Sequence, residues 1–358
     1  MLNIFLDQIH QTSLIIATLL MIAMNFILSF YWQSIRHKFK FLKSYQAIQR
    51  VHQGEVSRLG GVIAFLGLAT YVLLGSNGIG MPYIFAIICS SIPLLIITVK
   101  EDLCHNTAPA QRLVGMIITA GIFFVMYPVN FPIIDVPVLG NLLNQSNLAA
   151  WIFFSFAMVV IMNGNNLIDG ANGLMPMSII IQILCLFYLS HSVDDFYSQV
   201  RLILIAIPLL LFLLFNYPWG KIFMGDFGAY FYGFIISTNT IIFFGDHPEL
   251  PTWGAVLILF YPAFELLFSV IRKKIQKLDP TKPDNHHLHL KIFHLLRSQV
   301  IKPRTSNDLV MPCLSLIWGS PFVMLVWVYD SLLLTTLAII VISFIYLGFY
   351  WALPRQTN

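Results

Sequence analysis

The sequence predicts an all-α, polytopic membrane domain, one unit spanning residues 1–358 with about eleven transmembrane helices. Three observations predict this class. The composition is 58% hydrophobic and only 10% charged, whereas soluble domains carry roughly 25% charged residues. Apolar runs near the ~20 residues that a bilayer span needs recur along the whole chain. They are continuous rather than alternating, which argues for helices and against a β-barrel. Finally, the basic residues divide between alternate loops in the way that fixes orientation in a membrane.

The elements follow in order. A run at about 12–31 follows a polar start and lacks a small-residue cleavage site, so it reads as a retained span and not a removed signal peptide. The run 59–76 opens on Gly60-Gly61, and 82–99 ends on Lys100-Glu101-Asp102. The run 113–129 follows Arg112. Two short runs, 149–162 and 200–215, must tilt, extend or sit shielded by neighbours; 174–191 lies between them. The run 227–244 starts beside Asp226, 252–271 runs into the basic stretch from Arg272, and 309–329 and 332–352 close the chain.

With an odd number of spans and the amino terminus outside, on the periplasmic side, every Lys and Arg except Arg201 falls on the cytoplasmic side. Adding or dropping one span would scramble that separation. The cytoplasmic loops then cover about 32–58, 100–112, 163–173, 216–226 and 272–308, and the carboxy terminus is cytoplasmic. Cys89, Cys104, Cys185 and Cys313 show no paired spacing and read as thiols rather than a disulfide or metal set. The net charge of +4 sits on the cytoplasmic face, where it suits anionic headgroups or phosphates. Nothing marks nucleic-acid binding.

The segment Asn163-Gly-Asn-Asn-Leu-Ile-Asp-Gly-Ala-Asn-Gly-Leu174 is the most informative in the chain. Polar and ionisable residues at membrane depth are functional-site candidates by default. If the segment is helical, Asn166, Asp169 and Asn172 share a face, and its glycines let a pyrophosphate approach the backbone. In His52-Gln-Gly-Glu-Val-Ser-Arg-Leu-Gly-Gly61, Arg58 can fork onto a phosphate. Glu101 and Asp102 can bind a divalent cation or supply a base, or can simply pair with Lys100 or Arg112. In Asn216-Tyr-Pro-Trp-Gly-Lys221-Ile-Phe-Met-Gly-Asp226-Phe-Gly228 the carboxylate sits between two glycines just before a span, an expensive place unless it holds a metal or pairs with a cation. The last loop carries His286, His287 and His289. No cysteine lies near to complete a zinc tetrahedron, so imidazoles close to a phosphate fit better. Hard oxygen ligands select Mg²⁺ or Mn²⁺. The chemistry indicated is phosphoryl transfer at the cytoplasmic membrane surface, between a water-soluble nucleotide and a lipid acceptor.

These five segments, in this order from about His52 to His294, resemble the polyprenyl-phosphate N-acetylhexosamine-1-phosphate transferases of bacterial membranes, glycosyltransferase family 4. The phospho-N-acetylmuramoyl-pentapeptide transferase of peptidoglycan synthesis is a relative. A PRLGG-like motif appears as Ser57-Arg-Leu-Gly-Gly61; an Asp-Asp pair with a later Ser-Pro and Arg-Leu appears as Glu101-Asp102, Ala108-Pro109 and Arg112-Leu113. The motif Asn-x-x-Asp-Gly-x-Asp-Gly-Leu appears as Asn166 to Leu174, Phe-Met-Gly-Asp-x-Gly is intact at Phe223 to Gly228, and the histidine motif appears as Asp284 to Leu290. Glu101 and Asn172 each replace an aspartate, Leu290 a histidine and Asn285 an arginine.

The resemblance implies transfer of an N-acetylhexosamine-1-phosphate from a UDP-sugar to undecaprenyl phosphate at the inner membrane, with Mg²⁺, releasing UMP and starting a cell-envelope glycan such as O-antigen lipopolysaccharide. It implies Asp226 as first metal ligand, with Asp102 as the lipid-phosphate base or anchor and a second candidate ligand. Asp169 and Asn166 would bind nucleotide or assist the metal. Arg58, Asn172, Lys221, His286, His287 and His289 complete the expected substrate contacts, and Glu101 joins the catalytic set. A homodimer is an expectation of family likeness alone. Alternatives are the peptidoglycan transferase itself, a transporter, or a catalytically dead scaffold. Transporters place charges at the midplane between repeated halves, whereas here charges gather at one interface.

Overall fold

The computed structural model describes residues 11–38, 56–75, 80–104, 106–280, 282, 284–299 and 302–354. These form sixteen helices and no strand. They are α1 (Gln11–Lys38), α2 (Gly60–Leu74), α3 (Met81–Cys104), α4 (Pro109–Met126), α5 (Pro137–Gln145), α6 (Asn147–Ile168), α7 (Leu174–Ser192) and α8 (Phe196–Asn216). They continue with α9 (Gly225–Asp246), α10 (Trp253–Ile258), α11 (Phe260–Ile275), α12 (Leu288–Ser298), α13 (Pro303–Cys313), α14 (Ser315–Trp318), α15 (Ser320–Val328) and α16 (Leu332–Ala352). Lys40, Lys43, Arg50, His52, His105 and Arg355 lie outside the described residues.

Each of the eleven expected runs overlaps helix among the described residues. Among the described residues nine helical stretches are long and apolar enough to cross a membrane by length and composition, the bent run Pro303–Val328 counting as one. The run expected at 59–76 is the 15-residue α2. The run expected at 252–271 is broken at Leu259 into α10 and α11. The protein is therefore a multi-pass membrane protein.

The centre of the bundle is α9, whose apolar length is entirely enclosed. Small residues explain how neighbours come so close. A Cβ on Gly61 of α2 would overlap Cα of Gly228, and one on Gly233 would press on the backbone of Met162 in α6, the close backbone approach favoured between helices where lipid offers no hydrophobic drive. Aromatic rings fill the remaining space. Phe227 stacks on Phe231 at 5.3 Å, and Phe65 meets Phe227 edge-on at 5.7 Å. One buried polar cluster is paired: Tyr83 Oη contacts Thr238 Oγ1 at 2.7 Å and accepts from Asn239 Nδ2 at 2.6 Å. Helices α1 and α16 instead turn Leu19, Phe26, Leu333 and Phe344 outward, as lipid-facing helices do.

Three of the boundary changes bear on the site. Helix α3 continues to Cys104, so Glu101 and Asp102 lie on its last turn and not in a loop. Helix α6 continues to Ile168, so Asn163 to Asn166 are helical. The stretch expected as one loop at 272–308 contains α12 and the start of α13. Hydropathy marks where a segment stops being apolar, whereas a helix continues while its backbone hydrogen bonds are kept.

Candidate active site

The site begins with a backbone splice between two segments far apart in sequence. Phe223 N donates to Ser57 O at 2.8 Å, Gly60 N to Phe223 O at 3.0 Å, and Gly61 N to Met224 O at 2.9 Å. Gly225 completes it with φ +79°, and a Cβ there would overlap Arg58 O, so glycine is required on both counts. This splice sets Arg58 beside the first turn of α9.

The arginine Arg58 bridges two carboxylates. Its Nη2 meets Asp226 Oδ1 at 2.6 Å and its Nε meets Asp102 Oδ1 at 3.2 Å. On the other side Arg112 Nη1 from α4 meets Asp226 Oδ2 at 2.7 Å. Asp226 thus carries a guanidinium on each oxygen. The pairing and metal readings both remain chemically open to it, because each oxygen keeps a second lone pair.

Asp102 is placed differently from the expected base or metal ligand. Its Oδ1 accepts Asp226 N–H at 2.8 Å and its Oδ2 accepts Phe227 N–H at 3.1 Å. It caps α9 from a neighbouring helix, satisfying amides that a helix start leaves unpaired and placing negative charge at the positive end of the dipole. Its side chain is fully enclosed, so it reaches a ligand only through Asp226 and Arg58. Glu101 also works locally: its Oε2 accepts Thr107 N–H at 2.7 Å and closes the turn into α4.

Asp169 is the open carboxylate. It caps the carboxy end of α6, is half-buried, and makes no hydrogen bond or ion pair through its side chain among the described residues. Burial pushes its carboxyl well above the usual range; Arg58 opposes this, while Asp226 and Asp102 add to it. Asn166, one turn earlier, accepts from Tyr230 Oη at 3.4 Å and lies beside Asp226.

Asn172 does not share that face, because α6 has ended. Its backbone N–H donates to Asn307 Oδ1 at 3.0 Å and its Nδ2 to Asp308 Oδ1 at 2.8 Å, both on α13. Asn216 buttresses the same turn, accepting Gly173 N–H at 2.7 Å and donating to Ile222 O at 2.9 Å. Lys221 is exposed and stands apart from the cluster, its Nζ 5.6 Å from the Phe30 ring centre.

The histidines divide. His286 is half-exposed, and burial lowers its imidazole, with Arg272 and Lys291 adding to the effect against Asp284. His287 and His289 are buried, with parallel rings 5.9 Å apart, and the His289 ring lies over Gly170, next to Asp169. Burial would raise the Asp284 carboxyl, but the His286 N–H and Arg272 bring it down to about 2.

Sequence reasoning left Tyr230 and Glu265 out of the site and did not assign Arg112 to it. Glu265 carried a signal, a carboxylate inside an apolar run. Arg112 carried one too, a guanidinium opening a span opposite an acidic loop.

Among the described residues no group of three or more His, Cys, Asp or Glu is arranged as a ready-made metal site. The donor chemistry nevertheless fits one hard divalent ion. Asp169 is free, Asp226 keeps outer lone pairs, and Mg²⁺ is normally held by one or two carboxylates with substrate phosphates completing its shell. Arg112 Nε is buried without a partner, a donor that a phosphate oxygen would satisfy.

Residues 84–244 match the model of the family described as Glycosyl transferase family 4. The chain is 25% identical over 257 residues, 68% of each chain, to a Bacillus subtilis protein named "Probable undecaprenyl-phosphate N-acetylglucosaminyl 1-phosphate transferase". It is 28% identical over 159 residues to the "Undecaprenyl-phosphate alpha-N-acetylglucosaminyl 1-phosphate transferase" of Thermotoga maritima, covering 44% of this chain and about half, 47%, of that relative. It is 26% identical over 284 residues, 70% of this chain and 69% of the relative, to the "Decaprenyl-phosphate N-acetylglucosaminephosphotransferase" of Mycobacterium tuberculosis.

Proposed function

We propose that this chain, whose residues 84–244 match glycosyl transferase family 4, is a member that transfers an N-acetylhexosamine-1-phosphate from a UDP-sugar to undecaprenyl phosphate, releasing UMP at the cytoplasmic face of the inner membrane. The observation that carries this reading is Asp226 clamped between Arg58 and Arg112, beside the unpaired Asp169. All three relatives carry N-acetylglucosamine in their names, so UDP-N-acetylglucosamine is the donor favoured here. The glycan that follows is proposed to be of the O-antigen type.

The reaction joins an oxygen of the lipid phosphate to the phosphorus that bears the sugar. The bond from that phosphorus to the bridging oxygen breaks, and UMP leaves with the bridge. A lipid phosphate is already largely ionised at neutral pH, so no residue need remove a proton, and direct attack is favoured over a covalent aspartyl intermediate. Trapping a phosphorylated enzyme with labelled UDP-sugar overturns direct attack. Arg58 and Arg112 present fixed donors to phosphate oxygens, held by Asp226 so that little ordering is needed when substrate arrives. Asp102 acts as a positioning residue, because it fixes Asp226 and the start of α9. Asp169 and the outer face of Asp226 would hold Mg²⁺, which when bound neutralises the pyrophosphate and steadies the leaving UMP.

The test uses purified protein in detergent with undecaprenyl phosphate, Mg²⁺ and UDP-N-acetylglucosamine, following UMP. Release should require lipid and metal and fall by at least about 100-fold in Asp226→Asn, the scale on which a positioned electrostatic group acts. Sugar flux into proteoliposomes without UMP, or no UMP from any UDP-N-acetylhexosamine, refutes the reading.

A further inference from the structure

Beside the aspartate–arginine cluster runs a second buried polar chain, all of it outside residues 84–244. Glu265 on α11 is fully buried. Its Oε2 accepts Tyr346 O–H from α16 at 2.6 Å, and its Oε1 accepts Leu288 N–H at 3.2 Å. The same Oε1 lies 3.2 Å from His287 Nδ1. A carboxylate already taking two donors is an acceptor here as well, so His287 carries a hydrogen on Nδ1. The His287 ring stacks on His289, which packs over Gly170.

In His289, Nδ1 is sealed from solvent without a partner, and burial lowers the imidazole to about 4, leaving it neutral at pH 7. A neutral ring has one N–H, and a buried unpaired donor is rarer than a buried unpaired acceptor. The hydrogen therefore belongs on Nε2, the nitrogen beside the Asp169–Gly170 turn. Lys291 Nζ ties the same segment to the end of α16 by donating to Tyr350 O at 2.6 Å and Leu353 O at 3.2 Å.

We infer that Glu265 and Tyr346 are positioning residues through which the carboxy-terminal helix α16 sets the His287–His289 stack, and so presents His289 Nε2–H to the diphosphate of the nucleotide sugar. This rests on the transferase reading above. It assigns a site role to α16, an otherwise lipid-facing helix.

The experiment compares wild type, Glu265→Gln and Tyr346→Phe by three readouts: ¹⁵N-histidine NMR, calorimetric binding of UDP-N-acetylglucosamine, and UMP release. Glu265→Gln should abolish one histidine signal with a fixed Nδ1–H tautomer, raise Kd and KM about tenfold and change kcat less, as loss of an orienting partner does. Tyr346→Phe keeps the ring and its packing against Phe264 at 4.8 Å; it should retain wild-type thermal stability to within about 3 °C and raise KM a few fold. If Glu265→Gln fails to fold, Tyr346→Phe alone decides. An unchanged histidine signal overturns the proposed bond, and an altered signal with unchanged Kd and KM overturns the positioning role. Wild type that binds UDP-N-acetylglucosamine without releasing UMP refutes the transferase reading alone, with Kd still judging this one. Wild type that binds no UDP-N-acetylhexosamine overturns both.

Discussion

Exchanging the partners of the Asn172–Asp308 hydrogen bond gives a quantitative test of how α13 holds the aspartate-bearing turn. In N172D a second carboxylate would face Asp308 at the present separation of 2.8 Å. Two unit charges at that distance repel by about 6 kcal/mol at an effective dielectric of 20 and about 3 kcal/mol at 40. The lower figure applies, because Asp308 is partly exposed. Uptake of a proton sets a ceiling: at pH 7 it costs a carboxyl of ordinary acidity about 4 kcal/mol. Loss of the hydrogen bond adds about 1 kcal/mol, so N172D should cost about 3–4 kcal/mol. D308N keeps an amide–amide bond and should cost about 1 kcal/mol. The double variant N172D/D308N restores a carboxylate–amide pair with donor and acceptor reversed and should lie within about 1 kcal/mol of wild type, a favourable coupling of about 3 kcal/mol. The assay is thermal unfolding of purified protein in detergent, where N172D should fall by on the order of 5 °C. Its penalty belongs to two ionised groups, so N172D should gain stability relative to wild type as pH falls from 7 toward 4. N172D as stable as wild type, or a double variant no better than N172D, refutes the reasoning. A successful exchange would also explain why an amide is tolerated where the resembling transferases place an aspartate.

Gly61→Ala should prevent stable folding, because the added methyl overlaps Gly228 Cα where two helix backbones meet; the measure is yield of monodisperse protein, and normal yield rejects the close packing. Arg58→Lys should keep fold but lose at least about tenfold in UMP release, because an ammonium cannot span Asp102 and Asp226 as the guanidinium fork does; wild-type turnover would remove Arg58 from the site. His289, held near 4 by burial, binds its proton later than the unfolded chain does at about 6.5. Its contribution is therefore whole above about pH 6.5 and declines by on the order of 3 kcal/mol as pH falls to about 4. Thermal stability against pH should show that decline, and His289→Gln should flatten it.

Much of the site was legible because it breaks the rules of its surroundings. Asp226 between glycines, the asparagine-rich stretch before α7 and Arg58 before two glycines all spend polarity or backbone freedom where an apolar span needs neither. What was not legible is mostly long-range pairing. Nothing local in Glu101-Asp102 reveals that Asp102 caps a helix 124 residues away, or that Asn172 turns from Asp169 toward Asp308, 136 residues on. The periodicity that would place both on one face stops when α6 stops at Ile168. Helix α12 escaped notice because it is short and amphipathic, and a search for spans passes over such a segment. The break at Leu259 escaped because the apolar run continues through it, so hydropathy has no reason to divide it.

The splice between Ser57–Gly61 and Phe223–Gly225 also sets a schedule. Arg58 is made 168 residues before the carboxylate that it clamps. At roughly 5–20 residues per second, it waits on the order of 10–30 seconds before Asp226 leaves the ribosome. Through that interval α2, α3 and α4 must remain in the bilayer with a gap where α9 will stand, its walls lined by Gly61 and Phe65. The enclosed helix α9 is the one that closes the charge network, so packing of the bundle's centre and pairing of Arg58 and Arg112 with Asp226 are a single event. A chain stopped before Asp226 would leave Arg58 only Asp102 to pair with and Arg112 without the carboxylate that it meets.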